Sequence, residues 1–157
     1  MTAPDAAPFN IHACALVVAK EGVLIRGAAR SGKSSLVLTI LRRAEALGLR
    51  CGLIADDQVR VRVTPLGLEA TCPVSIKGLI EVSGVGILRQ PTIDHGLLSL
   101  VVDLLPLGEI ERLPDAPRAE IAGVRLPRIT LPARQASFAA DVVLTVLAAD
   151  PSWSDAG

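Results

Sequence analysis

Short apolar runs alternate with turn-forming residues in the first third of the chain. Residues 11–18, 23–25 and 51–55 are such runs, and each of them predicts a buried strand. Residues 35–47 instead repeat apolar side chains at helical spacing, which predicts an amphipathic helix with Gly48 as its C-terminal cap. Strands and a helix in this order are typical of an α/β fold.

The rest of the chain continues the strand pattern and closes with a helix. Valine and arginine alternate in residues 59–64, which predicts a strand with one basic face, and residues 68–70 can pair with it as a hairpin. Residues 79–88 fit either a strand–turn–strand unit or a loop that approaches a ligand. We further predict a central strand at residues 97–105 and an irregular connection at residues 106–118. An edge strand containing Pro127 is predicted at residues 124–131, and a terminal helix at residues 132–149. The ends, residues 1–9 and 150–157, are expected to be loosely attached.

Composition narrows the class of protein. At 157 residues the chain is expected to form one domain, ordered over about residues 10–149. Half of the residues are hydrophobic and only 2% are aromatic, so the core must consist of Leu, Val, Ile and Ala. Sixteen basic and sixteen acidic residues cancel, which gives no support for binding to nucleic acid or to a membrane surface. The sequence has neither a bilayer-spanning run nor a signal-peptide pattern, so we expect a cytoplasmic protein. In that reducing compartment we expect Cys14, Cys51 and Cys72 to be buried free thiols.

A P-loop motif lies between the second predicted strand and the first predicted helix. Residues 27–34 match G-x-x-x-x-G-K-[ST] at every fixed position. The two glycines permit backbone conformations that a side chain forbids, so consecutive N–H groups can surround a phosphate at the positive end of the helix. Lys33 adds a charge for the outer phosphates, and the Ser34 hydroxyl can ligate Mg²⁺. The predicted phosphate-binding residues are therefore Gly27, Ala28, Ala29, Arg30, Ser31, Gly32, Lys33 and Ser34.

Acidic residues and a histidine follow or precede the predicted strands. Asp56 and Asp57 end the strand at residues 51–55, where P-loop enzymes keep a carboxylate that holds Mg²⁺ or positions the nucleophile. Neighbours in a strand point to opposite faces, so we expect only one of the two to face the phosphate directly. A solvated acidic turn is the alternative. His12 lies at the head of the first strand, and a lone histidine of this kind usually has a structural role. Glu81 is a further candidate, and it lies beside two glycines in an apolar segment.

Taken together, these segments resemble the catalytic domain of HPr kinase/phosphorylase, and most closely the short bacterial versions that lack the N-terminal domain. The resemblance covers roughly residues 10–149. It rests on Ile11-His12-Ala13, on the P-loop, on residues 53–59 with their double aspartate, and on residues 79–87, which are similar to the signature L-E-[IV]-R-G-L-G-I. Residues 132–135 (P-A-R-Q) resemble the family's P-G-R-N turn more weakly. The fold that this implies is a P-loop-containing mixed β-sheet with the Walker A helix and a C-terminal helix.

The resemblance also implies a role for each candidate residue. Lys33 would bind the nucleotide phosphates, and Ser34 with Glu81 would hold Mg²⁺. One aspartate, Asp57 in preference to Asp56, would accept the proton of a serine hydroxyl, with His12 beside it. ATP or pyrophosphate with Mg²⁺ would be the cofactors, HPr or a paralogue would be the partner, and the assembly would be a hexamer.

Two departures from the family pattern keep alternatives open. The longer family members carry an arginine in a loop before the strand equivalent to residues 97–105, whereas here that connection is short and neither Arg89 nor His95 is at a matching position. Ser83 occupies the position of the signature arginine, which removes a planar cation able to grip phosphate with two hydrogen bonds. The leading hypothesis is a serine kinase, and also a phosphorylase, that acts on HPr. The alternatives are a nucleotide-binding sensor of the same fold with weakened or lost catalysis, and an unrelated small-molecule kinase, which would be expected to carry an arginine-rich lid.

Overall fold

A computed structural model describes residues 7–115 and 117–149. Within these residues a nine-stranded mixed sheet carries two helices, and a separate two-stranded hairpin lies beside it. The helices are α1 (Lys33–Ala46) and α2 (Ala136–Ala148). The strands are β1 (Phe9–His12), β2 (Cys14–Val18), β3 (Glu21–Gly27), β4 (Cys51–Ala55), β5 (Gln58–Thr64), β6 (Gly67–Thr71), β7 (Leu79–Val82), β8 (Gly86–Arg89), β9 (His95–Leu105), β10 (Arg118–Ile121) and β11 (Val124–Pro132).

The sheet is organised around the long central strand β9. The strand order is β1-β5-β6-β9-β3-β2-β4. In addition, β11 pairs with β9, and β10 pairs with β11. Strand β9 is parallel to β3, which leads into the P-loop, and parallel to β11, whereas β6 is antiparallel to the beginning of β9. A mixed sheet with a Walker A helix and a C-terminal helix is therefore the observed fold, which confirms the predicted fold class.

Two hydrophobic cores, one on each side of β2, β3 and β9, hold these elements together. The first packs the apolar stripe of α1 and the inner side of α2 against one side of the strands. Five of the six positions that the helical spacing predicted are buried, namely Leu36, Val37, Ile40, Leu41 and Ala44. The sixth, Leu47, follows the last turn of α1 and is exposed. The second core lies on the other side, against β5, β6 and the β10–β11 hairpin. Among the described residues, neither helix has the length and hydropathy needed to cross a bilayer.

The predicted single strand at residues 11–18 is wrong, because the chain bends at Ala13. Strand β1 before the bend pairs with β5, whereas β2 after it pairs with β3 and β4. The N–H of Ala13 donates to the carbonyl of Asp57 at 3.2 Å and fixes the bend. Phe9, predicted in a loose terminus, belongs to β1, while residues 1–6 and 150–157 lie outside the described part of the chain.

The C-terminal predictions are correct in kind and shifted in position. Residues 79–88 form the strand–turn–strand alternative, as β7 and β8. The edge-strand prediction for residues 124–131 holds only in part, because β11 pairs with β10 up to Pro127 and with β9 from Arg128 onwards. Helix α2 begins at Ala136 rather than at Pro132, since Pro132 still ends β11 and the turn that follows passes through Arg134 at φ 61°.

Candidate active site

The P-loop connects the end of β3 to the start of α1 and needs its two glycines for different reasons. Gly32, the residue before α1, has φ 93°, a left-handed conformation that favours glycine. Gly27 lacks room for a side chain, since a Cβ there would lie 2.4 Å from the Ser31 hydroxyl oxygen. The conformational reason predicted for both glycines therefore applies to Gly32, whereas the nearby side chains of Ser31 and Leu104 explain Gly27.

Lys33 folds back over the loop that precedes it. Its side chain is buried, and Nζ donates to the carbonyl oxygens of Gly27 at 2.9 Å and Ala28 at 3.0 Å. An ammonium group has three protons, so these two bonds leave one N–H for a ligand. The positive charge is thus held at a fixed place on the floor of the loop.

Asp56 is a buried carboxylate that three donors surround. Its Oδ1 accepts from the Ser34 hydroxyl at 2.7 Å and from the Cys14 thiol at 2.9 Å, and its Oδ2 accepts from the Glu81 backbone N–H at 3.0 Å. Burial, together with the negative charge of Asp56, raises the pKa of Cys14 far above its usual range, so the thiol stays protonated and donates. The carboxylate therefore ties β2, α1 and β7 to the end of β4.

Asp57 has the opposite surroundings. It lies in a bend after β4 with φ 71°, so the expected alternation of a strand does not apply to the aspartate pair. Its side chain is 70% exposed, and Oδ1 lies 2.8 Å from Nε2 of His12, which is 57% exposed. The pair faces solvent at the rim of the site and remains free to meet a second substrate.

These side chains line one pocket of about 460 Å³, which we call the P-loop pocket. It brings together nearly all of the sequence-predicted residues, and only Gly27, Ala28 and Ser31 of the P-loop do not line it. Residues that line it without having been predicted as ligands include Cys14 and Ser83. The lining residues are His12, Cys14, Ala29, Arg30, Gly32, Lys33, Ser34, Ser35, Asp56, Asp57, Glu81, Val82 and Ser83.

The residues of this pocket fit a magnesium ion. Mg²⁺ takes oxygen ligands and binds through one or two carboxylates when phosphates and waters complete its shell. The Ser34 hydroxyl and the Asp56 carboxylate lie 2.7 Å apart, and Glu81 lines the same pocket. All three groups offer hard oxygen atoms of the kind that this ion requires.

Two residues that contact the site were missed as functional candidates. Cys14 was predicted only as a buried thiol, and it is the donor to Asp56 described above. Arg134, in the turn before α2, holds the P-loop from outside: its backbone N–H donates to Ser31 O at 2.9 Å and its Nε donates to Arg30 O at 2.9 Å. The only sequence signal for Arg134 is the weak P-A-R-Q resemblance, which does not reveal the contact.

Comparison with known proteins identifies the family. The model of the HPr serine kinase C-terminal domain matches residues 6–152. The chain belongs to this family. HPr kinase/phosphorylases from Burkholderia cenocepacia (strain HI2424) and Burkholderia multivorans (strain ATCC 17616 / 249) are each 33% identical over 133 residues. That match covers 78% of this chain and 39% of each relative, so the chain spans well under half of their length.

A solved structure gives the same result for the fold of this HPr serine kinase domain. The Hpr(Ser) kinase/phosphatase from Coxiella burnetii is similar with a TM-score of 0.74 and 26% sequence identity. The alignment covers 88% of each chain. The predicted resemblance to HPr kinase/phosphorylase is therefore confirmed at the level of family and fold.

Proposed function

We propose that this chain is a serine kinase, and also a phosphorylase, that uses ATP or pyrophosphate with Mg²⁺ and acts on HPr or a paralogue. One observation carries the proposal: a P-loop lysine and an exposed aspartate–histidine pair line the same pocket. The first group suits a polyphosphate donor, and the second suits an acceptor hydroxyl. We further propose that it works in the cytoplasm and does not bind nucleic acid, in line with its balanced charge.

The donor would be held by the loop between β3 and α1. Backbone N–H groups of a P-loop surround the phosphates, and the lysine reaches the outer ones. Here the Lys33 ammonium group is already held on the floor of the loop by two carbonyl oxygens, so little ordering is required when a phosphate binds. Ser34, Asp56 and Glu81 would hold Mg²⁺, which when bound neutralises charge that develops on the transferred phosphoryl group.

Asp57 rather than Asp56 would act as the base. Asp56 already accepts three hydrogen bonds and is buried, so a proton there would displace a donor. Asp57 has one partner among the described residues, His12, which can orient the carboxylate while one oxygen stays open to solvent. In the forward direction Asp57 takes the serine proton as the serine oxygen attacks phosphorus and the bond to the donor's leaving phosphate breaks. In the reverse direction inorganic phosphate attacks phosphorus, the bond between phosphorus and the serine oxygen breaks, and Asp57 returns the proton to that oxygen, so that serine and pyrophosphate are the products.

The test is phosphoserine formation on HPr by the purified chain with ATP and Mg²⁺. Asp57→Asn should lower the transfer rate by about 10²–10⁴-fold, because an amide cannot take the proton, whereas the affinity for Mg²⁺–ATP should change little. Asp115→Asn is a matched control, since Asp115 is an exposed aspartate that does not line the P-loop pocket. Unchanged transfer by the Asp57 variant would contradict the assigned base.

The sensor alternative is favoured by one observation, which is that Ser83 lines the pocket where the family pattern has arginine. A pocket that lacks this cation can retain polyphosphate binding while transfer slows, because the P-loop supplies the binding contacts. Thermal stabilisation by Mg²⁺–ATP without any phosphoserine product would support the sensor. The hexamer expected from the family stays a prediction, which sedimentation analysis of the purified chain can test.

A further inference from the structure

A second pocket of about 530 Å³ adjoins the P-loop pocket, and we call it the flanking pocket. It shares Arg30, Gly32, Ser35 and Ser83 with the P-loop pocket and adds Arg134 and Ala136. The residues proposed for transfer, which are Lys33, Asp57 and His12, line only the P-loop pocket. The two spaces therefore lie side by side along the loop, with the transfer residues in the P-loop pocket and Arg134 in the flanking pocket.

Arg134 is held in the flanking pocket by the P-loop itself. Its backbone N–H and its Nε donate to two consecutive loop carbonyls, those of Ser31 and Arg30, both at 2.9 Å. A Cβ on Gly32 would lie 3.4 Å from the Arg134 backbone, so the turn and the loop are in close contact. The terminal guanidinium nitrogens form no hydrogen bond to another described residue, which leaves them available to a ligand.

The order of groups along the loop gives the direction of a bound polyphosphate. In a P-loop the backbone N–H groups surround the α- and β-phosphates, the lysine reaches the β- and γ-phosphates, and the serine hydroxyl binds Mg²⁺. The α-phosphate is therefore the one that the lysine does not reach. Lys33 and Ser34 line only the P-loop pocket. The α-phosphate of a nucleotide bound in this direction would therefore lie beside Ser35 and Arg134.

We infer that the flanking pocket receives the α-phosphate of a nucleoside triphosphate, and that Arg134 is the cation that contacts it. The inference rests on the proposed function, since the β- and γ-phosphates must occupy the P-loop pocket. A guanidinium whose Nε is already bonded can still present its planar pair of terminal nitrogens to two phosphate oxygens. Pyrophosphate fills only the P-loop pocket, so Arg134 distinguishes a nucleoside triphosphate from a pyrophosphate donor.

The test compares three probes, Mg²⁺–ATP, Mg²⁺–tripolyphosphate and Mg²⁺–pyrophosphate, by calorimetric titration of the parent and Arg134→Gln. The variant keeps the backbone bond to Ser31 O, so its loop retains that support. The Kd for ATP and for tripolyphosphate should rise by about tenfold or more, the value of a charge-assisted hydrogen bond. The Kd for pyrophosphate should change by less than about threefold. Arg134→Lys, which keeps the charge without the planar pair, should fall between parent and Arg134→Gln for ATP.

Arg125→Gln is the matched control, because it removes one exposed arginine from the β10–β11 hairpin, which contributes to neither pocket. It should leave all three affinities unchanged. An equal loss for the three probes in Arg134→Gln would overturn the inference and leave Arg134 as a support of the loop. A loss confined to ATP would also overturn it, because the contact would then be with the nucleoside.

Two results separate this inference from the proposed function. A parent that binds pyrophosphate but not ATP or tripolyphosphate overturns the α-phosphate site while phosphoryl transfer from pyrophosphate stands. A parent that shows the expected loss pattern but makes no phosphoserine supports the α-phosphate site and contradicts the kinase.

Discussion

Replacing Asp103 by asparagine should destabilise the strand from which the P-loop starts. Asp103 on β9 lies between two arginines, Arg26 on β3 and Arg128 on β11. Arg26 donates to both carboxylate oxygens, at 2.7 and 2.8 Å, and Arg128 donates to one of them. The carboxylate is 10% exposed and each arginine side chain is 32% exposed. Because Arg26 directly precedes Gly27, this group holds the entry of the loop in place.

The size of the effect follows from these exposures. Removing one partner of a fully buried ion pair costs about 3–5 kcal/mol, because the other charge is left without compensation. Both arginines are partly hydrated, so they can recruit water, and we expect a smaller loss of about 2–3 kcal/mol in the free energy of unfolding at pH 7. For a chain of this size that corresponds to a decrease of about 4–12 °C in Tm.

The loss should depend on pH in a defined direction. Burial alone would raise the pKa of Asp103, but hydrogen bonds from Arg26 and Arg128 outweigh it and hold the pKa below the ordinary value of 3.8. A carboxyl group with a lowered pKa stabilises the fold above its unfolded pKa, and this contribution is lost as the pH falls through the folded pKa. The difference between parent and Asp103→Asn should therefore be largest at neutral pH and should shrink below about pH 4.

Urea denaturation followed by far-UV circular dichroism at pH 7 and pH 3 measures both effects. Asp94→Asn is the matched control, since Asp94 is an exposed aspartate paired with the exposed Lys77, and its loss should leave the midpoint nearly unchanged. A difference between parent and Asp103→Asn that is as large at pH 3 as at pH 7 would refute the electrostatic origin. Equal stability of the two proteins at pH 7 would refute the estimate itself.

Two further changes address the site. Lys33→Ala should keep the fold and lose most of the thermal stabilisation by Mg²⁺–ATP, since the lysine is the charged ligand on an otherwise intact loop; equal stabilisation of parent and variant would contradict this. Ser83→Arg should raise kcat for HPr phosphorylation by about ten- to a hundredfold, because a cation is restored at a residue that lines the P-loop pocket. An unchanged or lower kcat in an active protein would indicate that Arg30, which lines the same pocket, already supplies the required charge.

Features that depend on adjacent residues could be predicted from the sequence. The P-loop is an example, because Gly32, Lys33 and the first turn of α1 are fixed by neighbours in the chain, and the buried stripe of α1 follows from helical spacing alone. The position of the aspartate pair at the end of β4 is local in the same sense. These signals were sufficient to predict an α/β fold, whereas the mixed sheet was implied by the family resemblance.

Features that depend on distant residues could not be predicted. The break at Ala13 follows from a backbone bond to Asp57, and β11 changes partner at Pro127 because β10 and β9 offer pairing positions to different halves of one strand. Arg134 contacts Arg30 across 104 positions, and no periodicity in the sequence records such a pair. Choice of strand partner and packing of turns are decided by the whole core, so local patterns do not contain them.

The aspartate pair illustrates how the structure adds to what a motif implies. The sequence offers two adjacent carboxylates, and strand alternation is the only local argument for telling them apart. In the fold they differ instead by hydration and by hydrogen-bond partners: Asp56 is enclosed by Cys14, Ser34 and the Glu81 backbone, and Asp57 faces solvent beside His12. An enclosed carboxylate that three donors hold in one orientation presents its oxygen atoms at fixed positions, which suits a cation site. An exposed carboxylate with one partner can gain and lose a proton without disturbing its surroundings, which suits acid–base work.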